Sequence, residues 1–484
     1  MDQKSRRGYI MKEKREVLSS KTVKRKKELG LDSQGIQKTM RFNHYLGDGA
    51  AMFATNAISG LVGIITYFYT DKIGLAAGVV GTIMLLTRIL DAFTDLIIGK
   101  LVDSTKSKYG KARPWLLWVS LPTLLAIILL FTAPANASIT IKYIYVFITL
   151  FLATGIVYTA IQVPYGSLMA LRTRSTEERG KMGITRAVFG YIIGMIIAII
   201  LIPASNMLGG DQRAWIILGI VLGVVSSIAL LITFFTSKEE TEIEKAEEDN
   251  ASFFESLKLI FKNKYFVIAL FITLFSQMLY ALINSTGPYY AEHILGNDNL
   301  VGIMGAVGLI PTIIGFSVVG PMMKKFGLAK TARIGMLVGI LGTGIRTFMP
   351  YSFIATLVFG SLTTFATIPL MAIGSVLVTN TIEYGEWKSG KRLVGMVNST
   401  SSFGMKIGVG LGTAVVGWIL AIGNYDGSLA TQPDSAVISI LTISIYLPLV
   451  LLIITYLLLR MYDLDQKYPQ IVKELEERKG KETD

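Results

Sequence analysis

The chain of 484 residues contains no cysteine. That single absence excludes disulfides, thiolate metal sites and cysteine nucleophiles together. Histidine is almost as scarce: His44 and His293 both stand near the ends of apolar runs, which leaves little for imidazole-based metal binding or acid–base work. Charged residues make up 17% of the chain against 52% hydrophobic ones, with a mean hydropathy of +0.54. Such a balance cannot clothe an ordinary soluble domain in a polar shell. There is no nucleophile–base pair and no metal-ligand constellation, so an enzyme is the least supported class. No Walker motif is present, and no cofactor is expected. The run Gly408-Val-Gly-Leu-Gly412 has no strand before it and lies inside an apolar span, so it reads as helix packing, not as a nucleotide loop.

What the chain does have is long apolar stretches. About twelve are long enough to cross a bilayer at roughly 20 residues each, near residues 44–69, 77–101, 114–134, 142–172, 181–203, 215–236, 264–295, 299–323, 331–349, 352–383, 395–421 and 436–461. The expected fold class is therefore an all-α, multi-pass membrane protein embedded in the cell membrane. Lysine and arginine alternate cleanly between the loops. The N-terminal arm, the 102–113 loop, the 172–181 loop, the 237–264 stretch and the loop with Lys324, Lys325, Lys330 and Arg333 fall on one side. The opposite loops carry little more than Lys72, Lys142 and Arg213. Positive charge stays cytoplasmic, so both termini are expected there. The formal charge of +13 is mostly topology, and nucleic acid is not expected as a partner. About forty polar residues precede the first apolar run, which reads as a spanning helix and not as a signal peptide.

The longest interior polar stretch divides the spans six and six. The expected organisation is a basic arm (1–43), a first six-helix bundle (44–236), a linker (237–263), a second bundle (264–461) and a charged tail (462–484). Gly110-Lys111-Ala112-Arg113 after the second span is echoed by Gly327-Leu328-Ala329-Lys330 and Arg333 after the eighth. Two duplicated six-helix bundles around a central cavity are the major-facilitator architecture, with the substrate near the bilayer midplane. A monomer is the expected working unit.

The second span carries charge where charge is costly. Arg88, Asp91 and Asp95 fall within about 60° of one another on one helix face, and each ionised group at that depth costs a few kcal/mol. Two carboxylates one turn apart repel, so the pair either holds a proton or draws in a cation. A plain Arg88–Asp91 structural ion pair is the alternative. Lys406 lies about 16 Å from either end of its span, too deep to snorkel, and needs a carboxylate partner. Arg186 and Arg346 stand nearer span ends, where snorkelling competes with substrate contact for the first and is the expected state of the second. Asp71 and Lys72 read as interfacial. Stacking faces for a sugar are sought among Tyr67, Tyr158, Tyr165, Tyr280, Tyr289 and Phe403, with Asn56, Gln162 and Asn284 as polar partners.

Five stretches occur in register: Tyr69-Thr70-Asp71, Arg88 through Asp95, Gly110-Lys-Ala-Arg-Pro-Trp115, Val163-Pro-Tyr-Gly-Ser-Leu168 and Glu383-Tyr-Gly-Glu-Trp-Lys388. Together they resemble the glycoside–pentoside–hexuronide:cation symporters, the group that includes the melibiose carrier, over residues 41 to 461. The resemblance implies uptake of a small glycoside driven by a co-transported cation. It implies cation binding at Asp91 and Asp95 with Thr159 and Ser402. It implies functional roles at Asp48, Arg186 and Lys406, and Gln162 and Tyr158 are expected to join them in substrate binding, with Arg88 and Lys406 as the charge network. Position 162 is glutamine where the melibiose carrier has aspartate, and position 166 is glycine in place of tryptophan. Loss of that third carboxylate tilts the expectation from Na+ toward H+, and no metal beyond Na+ is expected. Counting Asp48, Asp91 and Asp95 against Arg88 and Lys406 gives an empty cavity near −1, which the ion would neutralise. Asp103, Lys111, Arg113, Glu383, Glu386 and Arg392 are expected to gate the cytoplasmic mouth. A proton-coupled exporter and a non-transporting sugar sensor are the competing functions.

Overall fold

The computed structural model describes residues 29–31, 37–173, 175–239, 253–391, 393–429 and 431–483, and every regular element among them is a helix. Eleven helices are long and apolar enough to cross a membrane. In the first half these are α1 (Phe42–Lys72), α2 (Ala77–Ser104), α4 (Ile139–Leu150, Phe151–Val157 and Tyr158–Arg172 end to end), α5 (Thr176–Met207) and α6 (Gln212–Thr236). A further crossing, α3, comes in two pieces, Arg113–Trp118 and Ser120–Phe131. Pro122 has no N–H to offer the Trp118 carbonyl, so the helix breaks there. The second half has α8 (Lys264–His293), α9 (Leu300–Phe326), α10 (Leu328–Arg346), α11 (Phe353–Ser389), α12 (Val394–Ile422) and α13 (Asp434–Leu441, Thr442–Tyr446 and Leu447–Met461 end to end). Short side chains set several starts. Ser175, Asp211, Asn263 and Ser352 each accept hydrogen bonds from the first-turn N–H groups of α5, α6, α8 and α11.

Two helices lie outside the twelve crossings, α7 (Phe253–Lys262) before α8 and α14 (Leu464–Thr483) after α13. The charged tail is thus ordered where it was expected only as polar sequence. Its Leu464, Ile471 and Leu475 are buried, Glu474 accepts from the Trp387 indole at 2.7 Å, and Arg478 donates to the Trp387 carbonyl. α11 also runs past the expected end at 383, so Glu383 and Glu386 sit in its last turns.

The repeat seen in the loops has a structural counterpart. Gly110 and Gly327 both take positive φ (+110° and +81°), a conformation glycine adopts without strain. Immediately after each, a carboxylate from beyond the sixth crossing of the same half receives the free N–H groups of the next helix. Glu239 accepts from Lys111, Ala112 and Arg113 at 2.7–2.8 Å, and Asp465 accepts from Ala329 at 2.6 Å. An anion at a helix N-terminus is stabilised by those N–H groups and by the helix dipole.

The halves meet mainly along two helix pairs, α2 with α12 and α5 with α9, and α1 also touches α8. The pseudo-two-fold relation that carries the second crossing onto the eighth and the fifth onto the eleventh exchanges these pairs, as duplication requires. Small residues allow the approach. A Cβ at Gly417 would collide with the Ala77 carbonyl oxygen, so α2 and α12 touch backbone to backbone. Gly408 and Gly412 press likewise on α8, as packing glycines.

On the face opposite the chain ends, a polar cluster joins the halves. Asp71 accepts from Tyr425, whose hydroxyl also meets His293 Nε2 at 2.8 Å. Thr70 and Tyr289 share a hydrogen bond of 2.8 Å, and Tyr67 donates to Glu292 at 2.8 Å. Asp71 has 4% of its side chain accessible, so its reading as an interfacial residue is corrected: it is a tie between halves. Arg346 is corrected too. It does not snorkel but lies buried over the Tyr290 ring at 4.5 Å and donates to the Ser444 carbonyl.

Candidate functional site

The close α2–α12 contact brings Lys406 against the acidic face of α2. Its ammonium lies 3.1 Å from Asp91 Oδ2 and pairs with Asp95 Oδ2 as well. Arg88 approaches Asp91 at 3.6 Å from one turn away. Thr159, just after the π-helical stretch of α4, reaches both carboxylates, at 2.8 Å to Asp91 and 3.0 Å to Asp95. A hydroxyl has one proton to donate, so it satisfies only one carboxylate at a time. The other contact calls for a proton on a carboxyl or a cation between the oxygens. Asp91 has no accessible surface, whereas 31% of the Asp95 side chain is accessible, so Asp95 is the open edge of the cluster. The four oxygens and one hydroxyl are hard ligands of the type that hold a proton or an alkali cation.

The other expected residues divide. Tyr158 stands next to Thr159 on α4, and Gln162, one turn on, is exposed with no hydrogen-bond partner among the described residues. Ser402 lies one turn from Lys406 but makes no hydrogen bond to either carboxylate. Asp48 is elsewhere. It is fully buried near the ends of α1, α4, α5 and α6, with Arg186 at 2.7 and 2.9 Å and Arg172 at 3.1 Å. Tyr165 lies under the Arg186 guanidinium at 3.7 Å and donates to the Asp48 carbonyl. In this state every Asp48 carboxylate oxygen is bound by guanidinium and none is open to a sugar hydroxyl. Arg186 does not snorkel. The expected −1 cavity is corrected as well: without Asp48 the α2 cluster holds two carboxylates and two cations, and is neutral.

Two of the expected gate residues are held within the first half. Arg113 donates to the Phe234 carbonyl at 2.8 Å, and the Lys111 N–H is taken by Glu239. Glu383 and Glu386 end α11. Arg392 lies outside the described residues, as does the side chain of Asp103.

Alongside the charged cluster is a cavity of ≈ 310 Å³ between α8, α11 and α12. Its polar lining includes Ser276, Gln277, Tyr280, Asn398 and Ser401. None of these side chains has a protein hydrogen-bond partner among the described residues, and Tyr280, in mid-helix, is 45% accessible. Of the aromatic residues considered from sequence, only Tyr280 lines it. From the first half, Tyr191 touches its wall through a 3.4 Å contact to Met371. Ser276, Gln277, Asn398 and Ser401 were missed from sequence. A signal existed: Thr273, Gln277, Tyr280 and Asn284 recur every three or four residues along an otherwise apolar α8.

Residues 46–466 match the family described as MFS/sugar transport protein. The chain belongs to this family. It is 32% identical to the uncharacterized symporter YnaJ of Bacillus subtilis (strain 168), over 90% of this chain and 94% of that one. It is 28% identical to the isoprimeverose transporter of Lactiplantibacillus pentosus, over 91% and 92%. A solved bacterial homolog of the lysosomal transporter Spinster superposes with a TM-score of 0.66 at 13% identity, covering 90% of this chain and 99% of that one, which supports the fold. The resemblance seen in the sequence to the glycoside–pentoside–hexuronide group is thereby upheld, and the chain is a multi-pass membrane sugar transport protein.

Proposed function

We propose that this transporter imports a small glycoside together with a cation bound at Asp91 and Asp95, H+ somewhat favoured over Na+, with both termini in the cytoplasm. The observation that carries the reading is the Lys406 ammonium lodged between the two carboxylates. It acts as a tethered cation that fills the site when no coupling ion is bound. Because the cluster is then neutral, an arriving ion must displace the ammonium, and the freed Lys406 turns toward the neighbouring cavity as a hydrogen-bond donor for sugar hydroxyls. Ion and sugar are thereby linked, each favouring the other's binding by the same factor. Thr159 orients whichever carboxylate keeps no proton. The ties around Asp71, Tyr425 and Tyr289 close the outer mouth in the state described, and their rupture opens it.

Lysine and arginine on the side of the chain ends support the orientation. The carboxylate-poor fourth helix, with Gln162, supports the lean toward protons. Proteoliposomes given a panel of glycosides under imposed proton or sodium gradients test the reading: sugar accumulates only with one of the two gradients. Equal uptake with neither gradient contradicts it.

A further inference from the structure

Resting on the reading of the α8–α11–α12 cavity as the sugar site, we infer that the substrate is a neutral glycoside of one or two rings, not a uronide or a sulfonated sugar. The cavity has no charged residue in its lining. Its free polar groups are carboxamides, from Gln277 and Asn398, and hydroxyls, from Ser276, Tyr280, Ser375 and Ser401. A carboxamide presents donor and acceptor side by side, which matches a pair of vicinal sugar hydroxyls. A carboxylate or sulfonate offers acceptors only, and taking it from water without a cationic partner is strongly disfavoured.

The cations near the cavity are already engaged. Lys406 and Arg88 face two aspartates, which neutralise them. If the coupling ion frees Lys406, that ion's own charge takes its place on the carboxylates, and an anionic sugar would still meet a lone, hydroxyl-directed ammonium beside an acidic pair. At ≈ 310 Å³ the space lies at the small end of ligand cavities of about 300–1,000 Å³, enough for a monosaccharide glycoside or a disaccharide.

The test uses matched pairs that differ only in the acid: p-nitrophenyl glucoside against p-nitrophenyl glucuronide, in both the α and β linkages, bound to the purified full-length carrier at saturating coupling ion. The neutral member of a pair is expected to bind at least tenfold tighter. Gln277→Arg, with Asn398→Lys as a second variant in case the first fails to fold, narrows that ratio at least tenfold by supplying the missing cation. Equal or tighter glucuronide binding by the unaltered carrier overturns the neutral-substrate inference while leaving the cavity as the sugar site. Ratios and affinities untouched by both folded variants overturn the cavity reading itself. So does a carrier that binds no member of either pair.

Discussion

Replacing Lys406 with methionine removes the tethered ammonium but keeps most of the unbranched apolar stem. At 3.1 Å and an effective dielectric near 20, the attraction between the ammonium and one Asp91 oxygen is about 5 kcal/mol. Much of that is offset by desolvation and by the accessibility of the Asp95 side, so a net competition of about 1.5–3 kcal/mol is the working figure. At 1.4 kcal/mol per tenfold, the coupling ion should bind ten- to a hundredfold tighter to Lys406→Met. Sugar affinity should fall, because the donor that ion binding releases is gone, and accumulation against a gradient should be lost. Ion Kd is read by isothermal titration with sodium, or from the proton concentration that half-saturates sugar binding. Unchanged or weakened ion binding in a folded variant refutes the idea that the ammonium and the ion compete for one place.

Other consequences follow from the same geometry. Asp91→Asn leaves both Arg88 and Lys406 short of a buried partner and should cost about 3–5 kcal/mol of stability, read as a fall in Tm, whereas the more open Asp95→Asn should fold normally and lose ion-dependent accumulation. Thr159→Val removes the hydroxyl between the carboxylates and should weaken ion binding by roughly tenfold, for about 1–2 kcal/mol, with little change in Tm. Tyr425→Phe deletes the hydrogen bonds to Asp71 and His293, which are worth about 1–3 kcal/mol together, and should favour the state open on that face. Because the native chain has no cysteine, a single cysteine at Ser276 reports this directly, through faster labelling by an impermeant maleimide from the α1–α2 loop side. Glu239→Ala strips three hydrogen bonds from the start of α3 and should lower Tm without changing ion affinity.

Much of the architecture was legible because the bilayer leaves a chain few options. Span number, the duplication and the acidic face of α2 all follow from period and hydropathy, and a lysine as deep as Lys406 had to find a carboxylate. Which carboxylate was a different matter. Helical period places Asp91 and Asp95 on one face but says nothing about which face of which distant helix meets it, and a run of glycines in α12 settles that only in three dimensions. For the same reason Asp48 was placed in the wrong charge count: its partner Arg172 ends a helix, where sequence cannot tell a solvated arginine from a buried one. Asp71 and Arg346 share this ambiguity. Both sit at span ends, where an interfacial charge and a tie across the molecule look alike. The cavity amides Gln277 and Asn398 were hidden because an isolated amide in an apolar helix is as often a helix–helix contact as a binding group.

The most direct test is uptake by proteoliposomes carrying the Asp91→Asn/Asp95→Asn carrier under the gradient that drives the native one. Sugar is expected to equilibrate across the membrane at best, with no accumulation and no response to the imposed ion gradient. A doubly neutralised carrier that still concentrates sugar to the native level would show that these two carboxylates do not couple ion to solute.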